Sequence, residues 1–295
     1  MSERTILVTG GAGQLASALA AASASVRLVG RPAFDFDAPN TIARAFHDAQ
    51  PALVVNAAAY TAVDAAETDV DAAYRANRDG PAQLAELCAA AGVPLIHVST
   101  DYVFDGSKGA PYTEDDPVSP PGVYGASKLA GEQGVLASRA KAIILRTSWV
   151  HAHTGKNFVR TMLAVGATRD RLTVVADQRG CPTSAADLAD AILAIAVRVL
   201  DGWDDRFGGV FHAAGTGDTT WHGLALAVFE DAAAQGLSIP RVDPIATADW
   251  PTPARRPADS RLDCTRLAKT FGVRLPHWRD GVRRTTSAIF AANGV

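Results

Sequence analysis

The sequence has few cysteines. Cys88, Cys181 and Cys264 are the only three among 295 residues, and they lie far apart. An odd number of cysteines at wide spacing predicts free thiols in a reducing compartment, and argues against a disulfide framework or a zinc site. We therefore expect a cytoplasmic protein.

An excess of charge of one sign and long hydrophobic runs are also lacking. The formal net charge is −3, whereas sequence-independent binding to nucleic acid or to an anionic membrane needs a basic surface. No uninterrupted apolar run reaches the roughly 20 residues of a membrane span. The first residues lack the features of a signal peptide. We expect no nucleic-acid or membrane partner and a small molecule as ligand.

What is present is an alternation of short apolar runs and longer alanine-rich helical stretches. Nearly continuous apolar runs predict strands that are covered on both faces, and hence a parallel sheet. Alternating strands and crossover helices indicate an α/β, doubly wound, Rossmann-like fold. The predicted strands are residues 5–9, 26–29, 53–56, 95–99, 143–147 and 172–176. The predicted helices are residues 14–22, 40–49, 70–91 and 119–138.

The order is less regular in the C-terminal half of the chain. We expect a loop over 149–155, a helix over 156–167, and a surface loop or lid over 240–261, which is rich in proline. We predict a Rossmann-like domain over residues 1–148 and a smaller, mainly substrate-binding region over residues 149–295. Some segments of the second region are expected to return to the first domain.

A glycine-rich turn joins the first predicted strand to the first predicted helix. Glycines there supply positive φ angles and let a pyrophosphate approach backbone N–H groups at the positive end of the helix. A plain strand-to-helix turn is the alternative, but the position between a strand and a helix favours dinucleotide binding. A run of small residues after the third strand would let the cofactor cross the sheet edge. The candidate cofactor-binding residues of these two segments are Gly10, Gly13, Ala57, Ala58 and Ala59.

The end of the second predicted strand bears on the choice of cofactor. An acidic residue there binds the ribose 2′-hydroxyl of NADH, whereas an arginine accommodates the 2′-phosphate of NADPH. This chain has Gly30 and Arg31 there, with no carboxylate before Asp35. Arg31 has a nearly equal alternative as an ordinary solvated arginine. We predict NADPH as the cofactor, with NADH also accepted.

Tyr124 and Lys128 form the candidate catalytic pair. Residues four apart lie on one face of a helix. Reduction of a ketone needs a proton for the oxygen that becomes negative, and a nearby ammonium lowers the pKa of a tyrosine from its usual value of about 10. We expect Lys128 to depress the pKa of Tyr124 and to hydrogen-bond the nicotinamide ribose.

The fourth predicted strand runs into Val98, Ser99, Thr100 and Asp101. In a sheet of this kind the ligand lies at the carboxyl ends of the strands. A hydroxyl there can hydrogen-bond the carbonyl oxygen that is reduced. Ser99 and Thr100 are both candidates and should face opposite ways if the strand continues that far. Spacing does not choose between them.

Together these motifs resemble the extended short-chain dehydrogenases and, more narrowly, the dTDP-4-dehydrorhamnose reductase family. The resemblance covers essentially the whole chain, and its later motifs are more specific than the glycine turn. The motifs that carry it are the glycine turn and residues 55–67, 99–104, 124–128, 146–150, 155–158, 251–257 and 260–262.

The resemblance implies reduction of the 4-keto group of dTDP-4-dehydro-β-L-rhamnose to dTDP-L-rhamnose. It implies that Tyr124 donates the proton, that Lys128 is its partner, and that Thr100 takes the hydroxyl role. A nucleotide diphosphate also needs charge-assisted donors, and we expect Arg255 or Arg256 to reach it. The further cofactor contacts expected on this basis are Gln14, Leu15, Asp35, Phe36 and Val98. The further substrate contacts are Asp101, Trp149 and Asn157.

Two departures from the family affect metal binding and cofactor choice. Some members dimerise around Mg²⁺ held by glutamates on the first helix and near Asp187. Here Ser17-Ala18 and Ala185-Ala186 occupy those places. We expect no such metal, and a monomer or weak homodimer. Gly30-Arg31 stands where an acidic residue can occur, which argues against strict use of NADH.

Two rival functions share the fold. A nucleotide-sugar dehydratase of this type typically has a glutamate after the aspartate of the fourth strand, where this chain has Tyr102; an epimerase is the related alternative. A non-catalytic regulatory subunit is the second rival. The presence of Thr100, Tyr124 and Lys128 favours an enzyme.

Overall fold

The computed structural model describes residues 4–293. Its strands are β1 (Ile6–Thr9), β2 (Val26–Val29), β3 (Leu53–Asn56), β4 (Leu95–Thr100), β5 (Ala142–Thr147), β6 (Val150–His151), β7 (Arg171–Val175), β8 (Arg179–Gly180), β9 (Thr183–Ser184), β10 (Gly209–His212), β11 (Thr219–Thr220) and β12 (Arg241–Ile245). Its α-helices are α1 (Gln14–Ala22), α2 (Asn40–Ala49), α3 (Val63–Ala66), α4 (Val70–Tyr74), α5 (Gly80–Ala91), α6 (Val123–Ala137), α7 (Phe158–Gly166), α8 (Ala185–Asp201), α9 (Trp221–Ala234), α10 (Thr265–Phe271) and α11 (Trp278–Asn293).

The central element is a six-stranded sheet in the order β10-β5-β4-β3-β1-β2. Every neighbouring pair in it is parallel. The order reverses between β1 and β3, which is the point at which ligands bind in doubly wound sheets. The predicted α/β doubly wound fold is confirmed, and five of the six predicted strands lie in this sheet.

The sheet is covered on both faces. Ile6 of β1 packs with Leu19 of α1 and Ile192 of α8 on one face, whereas Leu7 packs with Leu84 of α5 on the other. Successive strand residues point to opposite faces, so a strand buried on both sides must be apolar at consecutive positions. This explains the continuous apolar runs of the first five strands.

The prediction that residues 172–176 form a strand of this sheet is wrong. β7 pairs instead with β12, in a separate two-stranded parallel sheet. Along β7, Leu172 and Val174 are buried while Arg171 and Thr173 are exposed, so only one face is covered. The sixth strand of the central sheet is β10, which pairs with β5.

The predicted lid over 240–261 also needs correction, because it begins with β12 and continues into a short 3₁₀ turn at Thr247–Asp249. The remainder is irregular. The predicted helix over 70–91 comprises α4, a π-helical turn at Arg75–Asp79 and α5. The predicted helix over 119–138 starts only at α6, since two prolines and Gly122 precede it.

No helix within residues 4–293 is both long and apolar enough to cross a membrane.

Candidate active site

A cleft of about 1220 Å³ opens at the carboxyl ends of β1, β3, β4 and β5. It brings together most of the residues predicted from the sequence. Those that line it are Gly10, Gly13, Gln14, Leu15, Gly30, Arg31, Asp35, Phe36, Ala57, Ala58, Ala59, Val98, Thr100, Asp101, Tyr124, Lys128 and Trp149.

The glycine turn forms one end of the cleft. Gly10 and Gly11 have φ angles of 106° and 52°, which residues other than glycine rarely adopt. The N–H of Gly13 donates to the carbonyl of Gly10 over 2.9 Å, and α1 begins directly afterwards. A Cβ on Gly10 would lie 3.0 Å from the carbonyl oxygen of Ala57. A backbone cradle without side chains, next to the positive end of a helix, fits the pyrophosphate of a dinucleotide.

Arg31 lies on the rim of this end. Its Nε donates to Asp35 over 2.9 Å and its Nη2 to Asp37 over 2.6 Å, while its side chain stays 67% exposed. The two carboxylates hold the guanidinium at the end of β2. Gly30 is needed for close packing, because a Cβ there would lie 2.6 Å from Cα of Gly11.

Tyr124 and Lys128 lie in the first turns of α6, and Lys128 is buried. The ammonium of Lys128 donates to the carbonyl oxygen of Val98 over 2.7 Å. Burial lowers the pKa of Lys128 to about 8, although the charge of Glu132 opposes this. The site therefore places an ammonium of weakened basicity at the end of β4.

The expectation that Lys128 depresses the pKa of Tyr124 is wrong in this structure. Burial raises the pKa of Tyr124 to about 12, and a hydrogen bond with the Thr100 hydroxyl offsets only part of that rise. Lys128 is directed at the carbonyl of Val98, and removal of the phenol from water disfavours the phenolate. Tyr124 is therefore a neutral phenol near neutral pH, which is the form that can donate a proton.

The two hydroxyls at the end of β4 face opposite ways. Ser99 donates to Oε1 of the buried Glu132 over 2.5 Å. Ser99 and Thr100 both line the cleft, but the Ser99 hydroxyl is hydrogen-bonded to Glu132, whereas the Thr100 hydroxyl lowers the pKa of Tyr124. Oγ1 of Thr100 also lies 3.1 Å from Oδ1 of Asp101. Spacing left the choice between Ser99 and Thr100 open, and the geometry brings Thr100 to the candidate proton donor.

Asp101 is an acid buried at the base of the cleft. It is 2% exposed, and its Oδ2 has no hydrogen-bond partner among the described residues. Burial raises its pKa to about 7, and the hydrogen bond from Thr100 to Oδ1 offsets part of that rise. A buried carboxyl with a free oxygen can contact a polar group of a ligand.

Trp149 forms a wall of the cleft with a partner that the sequence analysis did not assign to the site. Its ring stacks on Trp221 with centroids 3.6 Å apart and an interplanar angle of 6°. Trp149 has a φ of 48°, and a Cβ on Gly180 would lie 2.4 Å from its Cε2. The Nε1 of Trp221 donates to Gln178 over 3.1 Å. Two stacked indoles supply the flat apolar surface on which a sugar ring can lie.

Three predicted substrate residues lie outside this cleft. Asn157 caps α7 by accepting from the N–H of Arg160, and its Nδ2 donates to Oε1 of Gln14 over 2.8 Å. Arg255 and Arg256 line a second cavity of about 610 Å³. Arg256 also forms an ion pair with Asp64 over 2.8 Å. Their contact with substrate stays a prediction.

Lys156 lines the cleft and was not assigned to the site, although it belongs to the motif at 155–158. It is exposed, and a Cβ on the preceding Gly155 would lie 3.0 Å from Cγ of Gln14. A flexible ammonium so close to the glycine turn adds positive charge to the end that fits a pyrophosphate. The basic type of the residue, directly after a glycine, was the available signal.

Within residues 4–293, no three His, Cys, Asp or Glu side chains are grouped so that they could hold a metal ion. Asp187 instead pairs with Arg284 over 2.6 Å. Asp187 thus already has a cationic partner, and the neighbouring Ala185-Ala186 add no carboxylate.

The chain is similar to known proteins over nearly its full length. The family model described as the RmlD substrate binding domain matches residues 4–290. A dTDP-4-dehydrorhamnose reductase of Sinorhizobium fredii is 46% identical over 290 residues, which are 96% of this chain and 97% of the relative. The dTDP-4-dehydrorhamnose reductase of Escherichia coli K12 is 40% identical over 263 residues, which are 88% of this chain and 87% of the relative.

Solved structures show the same likeness. The dTDP-4-dehydrorhamnose reductase of Clostridium acetobutylicum has a TM-score of 0.87 at 35% identity, covering 96% of this chain and 98% of that one. The dTDP-4-dehydrorhamnose reductase of Bacillus anthracis, solved in complex with NADP, has a TM-score of 0.87 at 31% identity with the same coverage.

Proposed function

The chain belongs to the family of the RmlD substrate binding domain, and from that premise we propose how its residues carry out the reaction of the dTDP-4-dehydrorhamnose reductases. The protein is an NAD(P)H-dependent oxidoreductase that reduces the 4-keto group of dTDP-4-dehydro-β-L-rhamnose, giving dTDP-L-rhamnose. NADPH is its cofactor, in line with the NADP-bound relative. Its substrate is a nucleotide sugar.

Tyr124 is the proton donor in this proposal. When bound, the reduced nicotinamide supplies a hydride to the carbonyl carbon. Tyr124 then gives its phenolic proton to the carbonyl oxygen as negative charge develops there, and Thr100 donates a hydrogen bond to the same oxygen. Both side chains line the cleft, and Thr100 lowers the pKa of Tyr124, which supports this division.

Lys128 acts on the phenolate that is left after proton transfer. Its ammonium is held at the carbonyl of Val98, one helical turn from Tyr124. In the structure burial outweighs this charge and holds the pKa of Tyr124 at about 12, so Lys128 stabilises only the phenolate that forms during proton transfer. Lys128 also hydrogen-bonds the nicotinamide ribose, so it binds cofactor as well as assisting the proton donor.

The cofactor lies along the glycine turn and the ends of β2 and β3. In this proposal Gly10, Gly13, Gln14 and Leu15 hold the pyrophosphate. The adenosine half contacts Gly30, Arg31, Asp35 and Phe36, with Arg31 placed for a 2′-phosphate, and the remaining contacts are Ala57, Ala58, Ala59 and Val98. NADH is also accepted in this proposal. Asp35 and Asp37 pair with Arg31, and their carboxylates can accept a hydrogen bond from the free 2′-hydroxyl of NADH.

The sugar lies between Asp101 and Trp149. Asp101 offers a free carboxyl oxygen to a sugar hydroxyl, and the Trp149–Trp221 stack offers an apolar face. Asn157 acts through Gln14, and Arg255 or Arg256 contacts the diphosphate from the second cavity.

A single observation carries the proposal: Thr100, Tyr124 and Lys128 line one cleft whose other end is a side-chain-free phosphate cradle. The test is to mix the protein, NADPH and the 4-keto sugar, and to follow both the absorbance of the reduced cofactor and the sugar by NMR. We expect one cofactor to be oxidised for each sugar reduced. Sugar converted without loss of reduced cofactor would indicate an epimerase or dehydratase instead.

The proton-donor role is tested by Tyr124→Phe. Loss of a general acid lowers kcat by about 10²- to 10⁴-fold, while NADPH affinity should change little because the ring stays. Tyr112→Phe is the matched control, since its hydroxyl also reaches a polar partner, Asp105 over 2.8 Å, away from the cleft. Normal turnover by Tyr124→Phe would remove this residue from the mechanism.

We further propose a cytoplasmic protein that is a monomer or weak homodimer and has no nucleic-acid or membrane partner. Free thiols at Cys88, Cys181 and Cys264 support the compartment. The near-neutral charge supports the absence of polyanionic partners.

The division into residues 1–148 and 149–295 also stays a proposal, with α8 and β10 as the segments that return to the sheet. Sedimentation over a range of concentrations tests the oligomeric state.

A further inference from the structure

A buried polar cluster lies directly behind the candidate catalytic lysine. It consists of Ser99 on β4, Glu132 on α6 and Arg146 on β5, which are 3%, 2% and 4% exposed. Oε1 of Glu132 accepts from Ser99 over 2.5 Å and from Nε of Arg146 over 2.9 Å, and Oε2 accepts from Nη2 of Arg146 over 2.7 Å. One carboxylate thus ties a helix to two strands of the sheet.

The cluster is coupled to Lys128 by its position on both elements. Glu132 follows Lys128 by four residues, so the two side chains lie on the same face of α6. Lys128 contacts the carbonyl of Val98, and Glu132 contacts the next residue, Ser99. Helix α6 is therefore attached to β4 at two consecutive residues, and a shift at one attachment displaces the other.

The cluster is not explained by a contribution to the stability of the folded chain. The cost of removing two charges from water offsets most of their attraction, and well-packed apolar side chains often serve as well. Directional hydrogen bonds do what apolar packing does not: they fix the rotation and the axial position of a helix. The guanidinium of Arg146 is itself held, since it lies 5.2 Å from the ring centroid of Phe104.

We propose that Glu132, held by Ser99 and Arg146, is a positioning residue that fixes the ammonium of Lys128 relative to Tyr124 and the cofactor. The proposal rests on the proposed function, because it assumes that Lys128 serves catalysis. Glu132 does not line the cleft and acts through Lys128.

The charged groups around Lys128 determine the pH behaviour expected of variants. Glu132 faces it from its own helix and Arg146 lies behind Glu132 on β5. On β4, His97 is buried and kept neutral by burial and by Lys128, which lower its pKa. Glu132 is the group that opposes the burial-driven fall in the pKa of Lys128. Loss of its charge should therefore lower the pKa of Lys128 further.

The test compares Ser99→Ala and the paired change Glu132→Gln/Arg146→Gln with the parent. Ser99→Ala removes one hydrogen bond and leaves the ion pair, so it should fold; the paired change removes both charges together. We expect kcat to fall about 10- to 100-fold with little change in KM for the sugar, because small misplacements at a reacting centre have effects of that size. For the paired change, the alkaline limb of the kcat profile should also move to lower pH.

The chain offers a matched control far from the cleft. Thr286 donates to Asp231 over 2.8 Å, and Arg279 holds the same carboxylate over 2.5 and 2.9 Å. Thr286→Val removes the equivalent hydroxyl from an equivalent pair. It should lower the melting temperature about as much as Ser99→Ala and leave kcat and its pH profile unchanged. Equal melting temperatures with unchanged kcat in Ser99→Ala would overturn the proposal.

A second measurement needs no turnover and separates this proposal from the proposed function. The dissociation constant of NADPH is followed against pH by tryptophan fluorescence in the parent and in the paired variant. We expect the alkaline weakening of NADPH binding to occur at lower pH in the variant. Identical profiles would refute the positioning role even if the parent reduces the keto-sugar. A parent that binds NADPH but reduces no sugar would instead refute the proposed function alone.

Discussion

Replacement of Lys128 by methionine should make the protein more stable near neutral pH while it abolishes activity. Lys128 is 2% exposed, and burial lowers its pKa from 10.5 to about 8. Each unit of difference between folded and unfolded pKa corresponds to about 1.4 kcal/mol. At pH 7 the parent therefore loses about 3 kcal/mol by keeping this ammonium buried.

The sign of the pH dependence follows from the direction of the shift. A pKa that is lower in the folded chain than in the unfolded chain gives stability above the unfolded value, and that stability is lost as the pH falls towards the folded value. As the pH falls from about 10.5 to about 8, the free energy of unfolding of the parent should therefore decrease through this group. Lys128→Met cannot titrate there.

Methionine also removes the hydrogen bond to Val98, at a loss of about 1–3 kcal/mol when the carbonyl is left buried and unpaired. The net gain for Lys128→Met at pH 7 is then about 1 kcal/mol. The advantage should shrink by about 2–3 kcal/mol by pH 10 and reverse in sign. Urea unfolding at the two pH values measures the difference directly.

The difference between variant and parent is the quantity to compare, because every other titrating group cancels in it. Lys269→Met, on an exposed lysine of α10, is the matched control and should differ from the parent by little at either pH. If Lys128→Met were destabilised by the same amount at pH 7 and pH 10, Lys128 would not carry a buried charge and the reasoning from burial would fail.

Three further predictions concern ligand binding. Gly30→Ala places a Cβ 2.6 Å from Cα of Gly11; opening the turn should weaken NADPH binding by at least tenfold, together with about 1–3 kcal/mol of stability, as read by fluorescence titration and urea unfolding. Arg31→Ala should raise KM for NADPH about tenfold and leave KM for NADH nearly unchanged, and equal effects on both would remove Arg31 from the 2′-phosphate. Gly180→Ala should push Trp149 from its stacked position, raising KM for the sugar while the dissociation constant of NADPH stays the same.

Local patterns made much of the fold and site predictable. The glycine turn, the pair Tyr124 and Lys128, and the first five strands depend on residues near one another in sequence. Strand β10 was missed because Gly209 and His212 leave only two apolar residues in a row and its burial comes from β5 and α10, far away in the chain. β7 was placed in the wrong sheet because an apolar run does not tell how many of its faces are covered.

In the site, too, local patterns predicted some features, and contacts between distant residues determined the others. Alternation along β4 predicts that Ser99 and Thr100 face opposite ways, but it is Glu132 and Arg146 that occupy the side of Ser99. The pKa of Tyr124 was predicted in the wrong direction because spacing gives the nearness of an ammonium and says nothing of burial. The Trp149–Trp221 stack joins residues 72 positions apart, for which no local signal exists.

The late position of β10 in the chain has a consequence for biosynthesis. β10 covers the edge of β5, and about 60 residues separate the two strands. At a synthesis rate of about 5–20 residues per second, the ribosome makes β5 on the order of 3 to 12 s before its neighbour. During that interval the nascent chain presents an open parallel edge, which is a template for aggregation. Chaperone contact with the nascent chain should therefore be strongest in the window between these two strands and should end once β10 has emerged.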